Sequence, residues 1–148
     1  AHARWHVLLG NLHPVAVHFP IALILCAFLC ELGAIFTTRS VFSDAARVMI
    51  VLGAVTGIGA ALLGWFAAEH VNYPAELMRF LWWHRAFGIA TVVLGTAAAM
   101  ASEVSRRPTA ASAWRAAYRL LLLAAAIVVS ITGYLGGTLV YGPDHFAW

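Results

Sequence analysis

Charge is what this sequence has least of. Only 10% of its residues are Asp, Glu, Lys or Arg, none is lysine, and 63% are apolar, a balance outside the range of a soluble globular domain. The net charge of +3 is therefore carried by arginine alone. The arginines sit in short connecting segments rather than along one basic stripe, which argues against nucleic acid as a partner. Cysteine is equally sparse. Cys26 and Cys30 lie one helical turn apart, a poor geometry for a disulfide, and are expected to be small apolar core residues. Cys-x-x-Cys-His is absent, so covalent c-type haem is excluded by its usual motif. His-Glu-x-x-His, a phosphate-binding loop, a nucleophile with its base and paired carboxylates are missing too. No reaction of the chain's own can be assigned, and any catalysis would have to come from a partner.

What is present is long uncharged stretches. A hydrocarbon layer of roughly 30 Å needs about 20 helical residues. Pro14 to Phe36 is apolar except for Glu31, and Val48 to Ala68 and Leu120 to Tyr141 carry no charge at all. Ala86 to Ser102 is shorter, and Phe80 to Trp83 lengthen it at its start. The expected fold is all-α: one integral membrane domain over 1–148, an up-down-up-down four-helix bundle with spans of about 14–36, 46–69, 80–103 and 114–141. The first span is too long for a signal-peptide core and no small-residue cleavage site follows it, so it is expected to stay in the bilayer. Asp44 is expected to cap the second helix. Pro14 is expected in the first turn of the first helix, and Pro20 to kink it near His18.

Positive charge near span ends marks the cytoplasmic side. Arg39, Arg47, Arg106, Arg107, Arg115 and Arg119 belong to the first and third connections, against Arg4, Arg79 and Arg85 on the other side. The expected location is the inner (cytoplasmic) membrane, multi-pass, with both termini and the middle connection extracytoplasmic. Glycine is frequent within the spans, and Gly53 and Gly57 form a GxxxG, first read as tight helix packing in lipid. Thr56-Gly57 and Thr132-Gly133 recur in the second helix of each hairpin, too short a match to establish a repeat.

The histidines carry most of the functional information. His13 and His18 open the first span, His70 follows the second, His84 opens the third and His145 follows the fourth. An even number of crossings brings all five, with His2 and His6, to one face, and none to the arginine-rich face. Histidine is a common metal ligand and proton carrier, and polar groups at membrane depth are functional candidates by default. Each one taken alone is also an ordinary interfacial or hydrogen-bonded residue, as Trp5, Trp82, Trp83 and Trp148 are interfacial anchors. His13 and His18, five residues apart, point about 140° away from each other on a regular helix and so have different partners. His84 lies one turn before Gly88, which leaves room for a flat ring. Glu69, Glu76 and Asp144 add carboxylates to the same face, so a copper or zinc site can also be drawn.

His13-Pro14-Val15-Ala16-Val17-His18-Phe19-Pro20, followed by an apolar span, resembles the HPxxVHFPIAL signature of the bacterial membrane family DUF2231. Gly133 to Tyr141 resembles the GxxGGxLVY motif that closes the same family, and His84 falls where its third span begins with histidine. Two features depart from the family pattern: Gly142-Pro143-Asp144-His145 stands where a His-Gly pair is common, and Gly64-Trp65 lacks the aspartate of a Gly-x-x-Asp-Trp segment. Some members are fused or adjacent to c-type cytochrome domains, so the resemblance implies redox work.

The leading expectation is a b-type cytochrome or haem-associated subunit for electron transfer. Its axial ligands are expected to be His18 and His84, with His13 and His70 as the second pair, and Arg79 or Arg85 are expected to neutralise haem propionates. An extracytoplasmic cytochrome, other membrane subunits or quinone would be the exchange partners. The competing expectations are a cofactor-free accessory subunit of a larger membrane complex and a copper- or zinc-binding membrane protein built on the same four histidines.

Overall fold

A computed structural model describes residues 2–37 and 39–144, apart from the side chains of His2, Ala3 and His70. His145 and Trp148 lie outside the described residues. Five helices follow one another: α1 His2–Ala16, α2 His18–Thr37, α3 Ser40–His70, α4 Met78–Ser105 and α5 Ser112–Tyr141, with one 3-10 turn, Ala75–Leu77, ahead of α4. No strand occurs among the described residues.

The apolar runs become helices because in lipid a backbone must satisfy its own hydrogen bonds. Four segments are long and apolar enough to cross a membrane: Arg4–Thr37, Ser40–Glu69, Ala75–Ser105 and Ser112–Tyr141. At 30 residues or more each, they reach about 45 Å, enough for the hydrocarbon and both headgroup layers. Large apolar side chains such as Val55, Leu62, Ile89, Val93 and Leu120 are about 60% exposed or more, as helices solvated by lipid require.

α1 and α2 together form the first span, and the helix begins well before Pro14, which therefore lies inside α1 and not in its first turn. The break falls at Val17, beside His18 as expected. It is one residue long: Val17 N–H still reaches the His13 carbonyl at 3.1 Å and Ile21 N–H the Val17 carbonyl at 3.3 Å. Pro20, which has no N–H to give the Ala16 carbonyl, accounts for its position. Asp44 does not cap α3. That helix starts at Ser40 after Arg39, with no side-chain cap, and Asp44 instead binds Arg106 at 2.6 Å. Cys26 is exposed on α2 rather than in the core, and Cys30 is half-buried.

The spans pack in a closed ring, α2 on α3, α3 on α4, α4 on α5 and α5 back on α2, while α1 lies against α3. The apolar core sits toward the end where α3 and α5 begin. Ile24, Ile50, Ala98, Leu122, Ala125 and Val129 meet there, each 2% exposed or less. Three ion pairs close that end: Arg47 with Glu103, Arg106 with Asp44 and Arg119 with Glu31.

Candidate functional site

At the opposite end the helices are joined by histidine. The His13 ring, on α1, gives its Nδ1–H to the carbonyl of Ala60 on α3 at 2.9 Å. The His84 ring, on α4, gives its Nδ1–H to the carbonyl of Thr132 on α5 at 3.1 Å. A carbonyl only accepts, so both rings are fixed as the tautomer with the proton on Nδ1 and the lone pair on Nε2. The two ring centres stand 6.2 Å apart with planes at 78°. α1 has no extended packing on α4 or α5 among the described residues. Each imidazole thus ties together the two helices of its own hairpin, and the two rings meet edge-on between the hairpins.

Each ring rests on a glycine one turn beyond its carbonyl. A Cβ on Gly64 would stand 2.7 Å from His13 Cε1, and one on Gly136 3.2 Å from His84 Cε1. Both distances are too short for an undisturbed side chain, so each imidazole occupies space that any other residue would fill. The two halves match: His13 and His84 are 71 residues apart, Ala60 and Thr132 are 72 apart, and Gly64 and Gly136 are 72 apart. The hairpins thus repeat a histidine, a carbonyl and a glycine. Thr56-Gly57 and Thr132-Gly133, 76 apart, are out of register with this. Thr91 and Thr132 meet one level further in, their Oγ1 atoms 3.2 Å apart.

The other expected site residues lie around this pair. His18 is exposed, and its Nδ1 bonds the Val15 carbonyl of its own span at 3.3 Å. His70 ends α3, with its side chain outside the described residues. Arg79 and Arg85 are exposed, with guanidinium groups over the rings of Phe80 and Trp65 at 5.5 Å and 5.8 Å. A Cβ on Gly88 would make only ordinary contact with Thr132 at 3.9 Å, so the glycines pressed on histidine are Gly64 and Gly136. The half-buried His13 ring comes within reach of His84. His6 sits edge-on to Phe66 at 5.4 Å. Among the described residues no group of three or more His, Cys, Asp and Glu side chains converges.

This donor set can be compared with what haem iron asks of a protein. A porphyrin brings four nitrogens and leaves two axial positions. With a metal–imidazole bond of about 2.0–2.1 Å and about 1.1 Å from that nitrogen to the ring centre, two imidazoles across one ion have centres about 6.3 Å apart. The centres of His13 and His84 are 6.2 Å apart. Two Nε2 lone pairs, each backed by an Nδ1–H bond to a carbonyl, are the outer-shell arrangement usual for ligating histidine. These two imidazoles are the residues that would hold such a group.

Fold and site together define a helical membrane protein of four spans with one half-buried imidazole from each hairpin meeting at one end. The family model described as predicted membrane protein (DUF2231) matches residues 10–144, and the chain belongs to that family. No curated protein matches it, and no solved structure does.

Proposed function

We propose that this chain is a small b-type haem protein of the membrane, an electron-transfer subunit in which His13 and His84 are the two axial ligands. The observation that supports this most is the pair itself: two imidazoles, one from each hairpin, 6.2 Å between centres, each held by a main-chain carbonyl and seated on a glycine. When bound, haem supplies a one-electron iron couple, and two nitrogen ligands leave no position for oxygen. The chain's own contribution is orientation. The Ala60 and Thr132 carbonyls keep the Nε2 lone pairs available, and Gly64 and Gly136 admit the rings. Arg79 and Arg85, exposed at the same end, supply positive charge for propionates. On this reading the site faces the extracytoplasmic side and exchanges electrons with a cytochrome there, or with quinone in the bilayer.

Among the described residues only two imidazoles converge, fewer than the three or four protein ligands of a zinc site, which favours haem over the copper or zinc alternative. A cofactor-free accessory subunit would use the same ring contact as a structural bridge between hairpins. The test is metal content and an absorption spectrum on one purified sample. Near-stoichiometric iron with the sharp alpha band of low-spin haem b after dithionite reduction is the expected result. Protein purified from cells supplied with haem that has neither would overturn the proposal.

A further inference from the structure

A groove of about 340 Å³ opens on the flank of the first hairpin, where Leu12, Ala16 and Phe19 of the first span and Thr56, Gly59 and Ala60 of α3 line it. Its volume falls within the range of about 300–1,000 Å³ usual for small-molecule sites. The space over Gly59 is open, since a Cβ there would meet nothing within 4 Å. Ala60 ties the groove to the imidazole pair, because its carbonyl is the one that His13 bonds.

The repeat between the hairpins says what shape of group belongs there. Under the 71- and 72-residue offsets, Leu12 and Ala16 correspond to Trp83 and Phe87, and Gly59 to Ile131. Trp83 and Phe87 stack on one another, with ring centres 5.7 Å apart and planes at 30°. The second hairpin therefore fills this level with its own pair of flat rings. In the first hairpin a leucine, an alanine and a glycine hold those positions, and the exposed Phe19, which corresponds to Ala90, supplies one aromatic ring beside the open space. A planar ring from outside can stack on it.

The polar atoms say what that ring carries. Thr56 is the polar side chain of the lining, and its hydroxyl gives its proton to the Leu52 carbonyl at 2.8 Å, leaving the oxygen as an acceptor. Ala16 adds a second acceptor, the carbonyl to which Pro20 has no N–H to give. Acceptors without a donor beside them favour a ring bearing hydroxyls over one bearing carbonyls.

We infer that this groove binds the head of a quinol from the bilayer, its ring against Phe19 and one hydroxyl donated to Thr56. For its purpose the inference rests on the electron-transfer role proposed above; the binding itself needs no haem.

The experiment is thermal unfolding of the full chain in neutral detergent under argon, with decylubiquinol compared against decylubiquinone and decanol at equal mole fraction in the micelles. Saturating quinol should raise the midpoint by about 2–4 °C, the quinone should raise it less and decanol not at all. Gly59→Ile, which gives α3 the residue found at the corresponding place in α5, should remove the rise, and Thr56→Val should lower the quinol's rise to that of the quinone. No rise with quinol in the unaltered protein, or an equal rise in Gly59→Ile, would overturn the site. An equal rise with decanol would overturn it in favour of a lipid chain, and an equal rise with decylubiquinone would overturn the selection of the reduced form. Haem measured on the same samples keeps the two readings apart: a quinol-dependent rise in protein that takes up no haem would support the groove and sink the haem assignment, whereas haem-loaded protein without the rise would do the reverse.

Discussion

The two ends of this bundle are built by opposite rules. At the arginine-rich end, large and small apolar side chains fill the axis, and three ion pairs tie neighbouring helices together. At the histidine-rich end, one ring in each hairpin reaches to the neighbouring helix, rests on its glycine and bonds its backbone carbonyl, and the two rings meet edge-on. One end is closed by packing and charge. The other is held by groups that can also bind a ligand. On the proposed function the two ends separate stability from ligand binding, so substitutions at each should be read by different measurements.

Crowding the histidine end should give the largest effect. In Gly64→Ala the new methyl meets His13 Cε1 at 2.7 Å, so the ring that bonds the Ala60 carbonyl or the backbone beside it must shift. Overpacking of this kind costs about 1–3 kcal/mol, which on the proposed function weakens haem binding by roughly five- to a hundredfold. Gly136→Ala brings its methyl no closer than 3.2 Å to His84, so its loss should be smaller and in the same direction. Haem per polypeptide, from the reduced spectrum, measures both. Equal and negligible losses would mean that the rings are not seated on these glycines.

The closed end should respond in stability while leaving the spectrum unchanged. Glu31 has 9% side-chain exposure and its partner Arg119 38%. Glu31→Gln leaves that guanidinium half-buried without its counter-charge. Because water still reaches the arginine, the cost is discounted to about 1–2 kcal/mol, read as a lower thermal midpoint. Arg47→Gln breaks a pair with Glu103 at 2.5 Å in which both side chains are more than 40% exposed. Its effect should be the smallest of the set and should shrink further with salt. If Glu31→Gln moved the alpha band, the two ends would be coupled and the contrast between them lost.

The spans were legible because composition alone decides the solvent: runs such as Val48 to Ala68 have nowhere else to be stable. Helix ends were less so. Asp44 looked like a cap, yet Ser40 to Ser43 are equally able to be helical, and Arg106 across the bundle offers the carboxylate a stronger partner than a backbone N–H. The histidine face followed from counting crossings, but the pairing did not. Spacing within a helix says which residues share an end, whereas the rotation of each helix, set by packing, says which rings meet. His18 and His84 were the expected pair, and the rings that approach are His13 and His84. A signal for that was in the sequence: the 71- and 72-residue offsets linking His13, Ala60 and Gly64 to His84, Thr132 and Gly136. It is faint because a carbonyl acceptor leaves no mark on residue identity, so only one histidine and one glycine per hairpin repeat visibly.

The most direct test of the haem assignment is the dithionite-reduced spectrum of three variants purified side by side, His13→Ala, His84→Ala and His18→Ala. The alpha band should vanish in the first two and persist in the third. A band that survives loss of His13, or disappears with His18 alone, would contradict the assignment of His13 and His84 as the ligands.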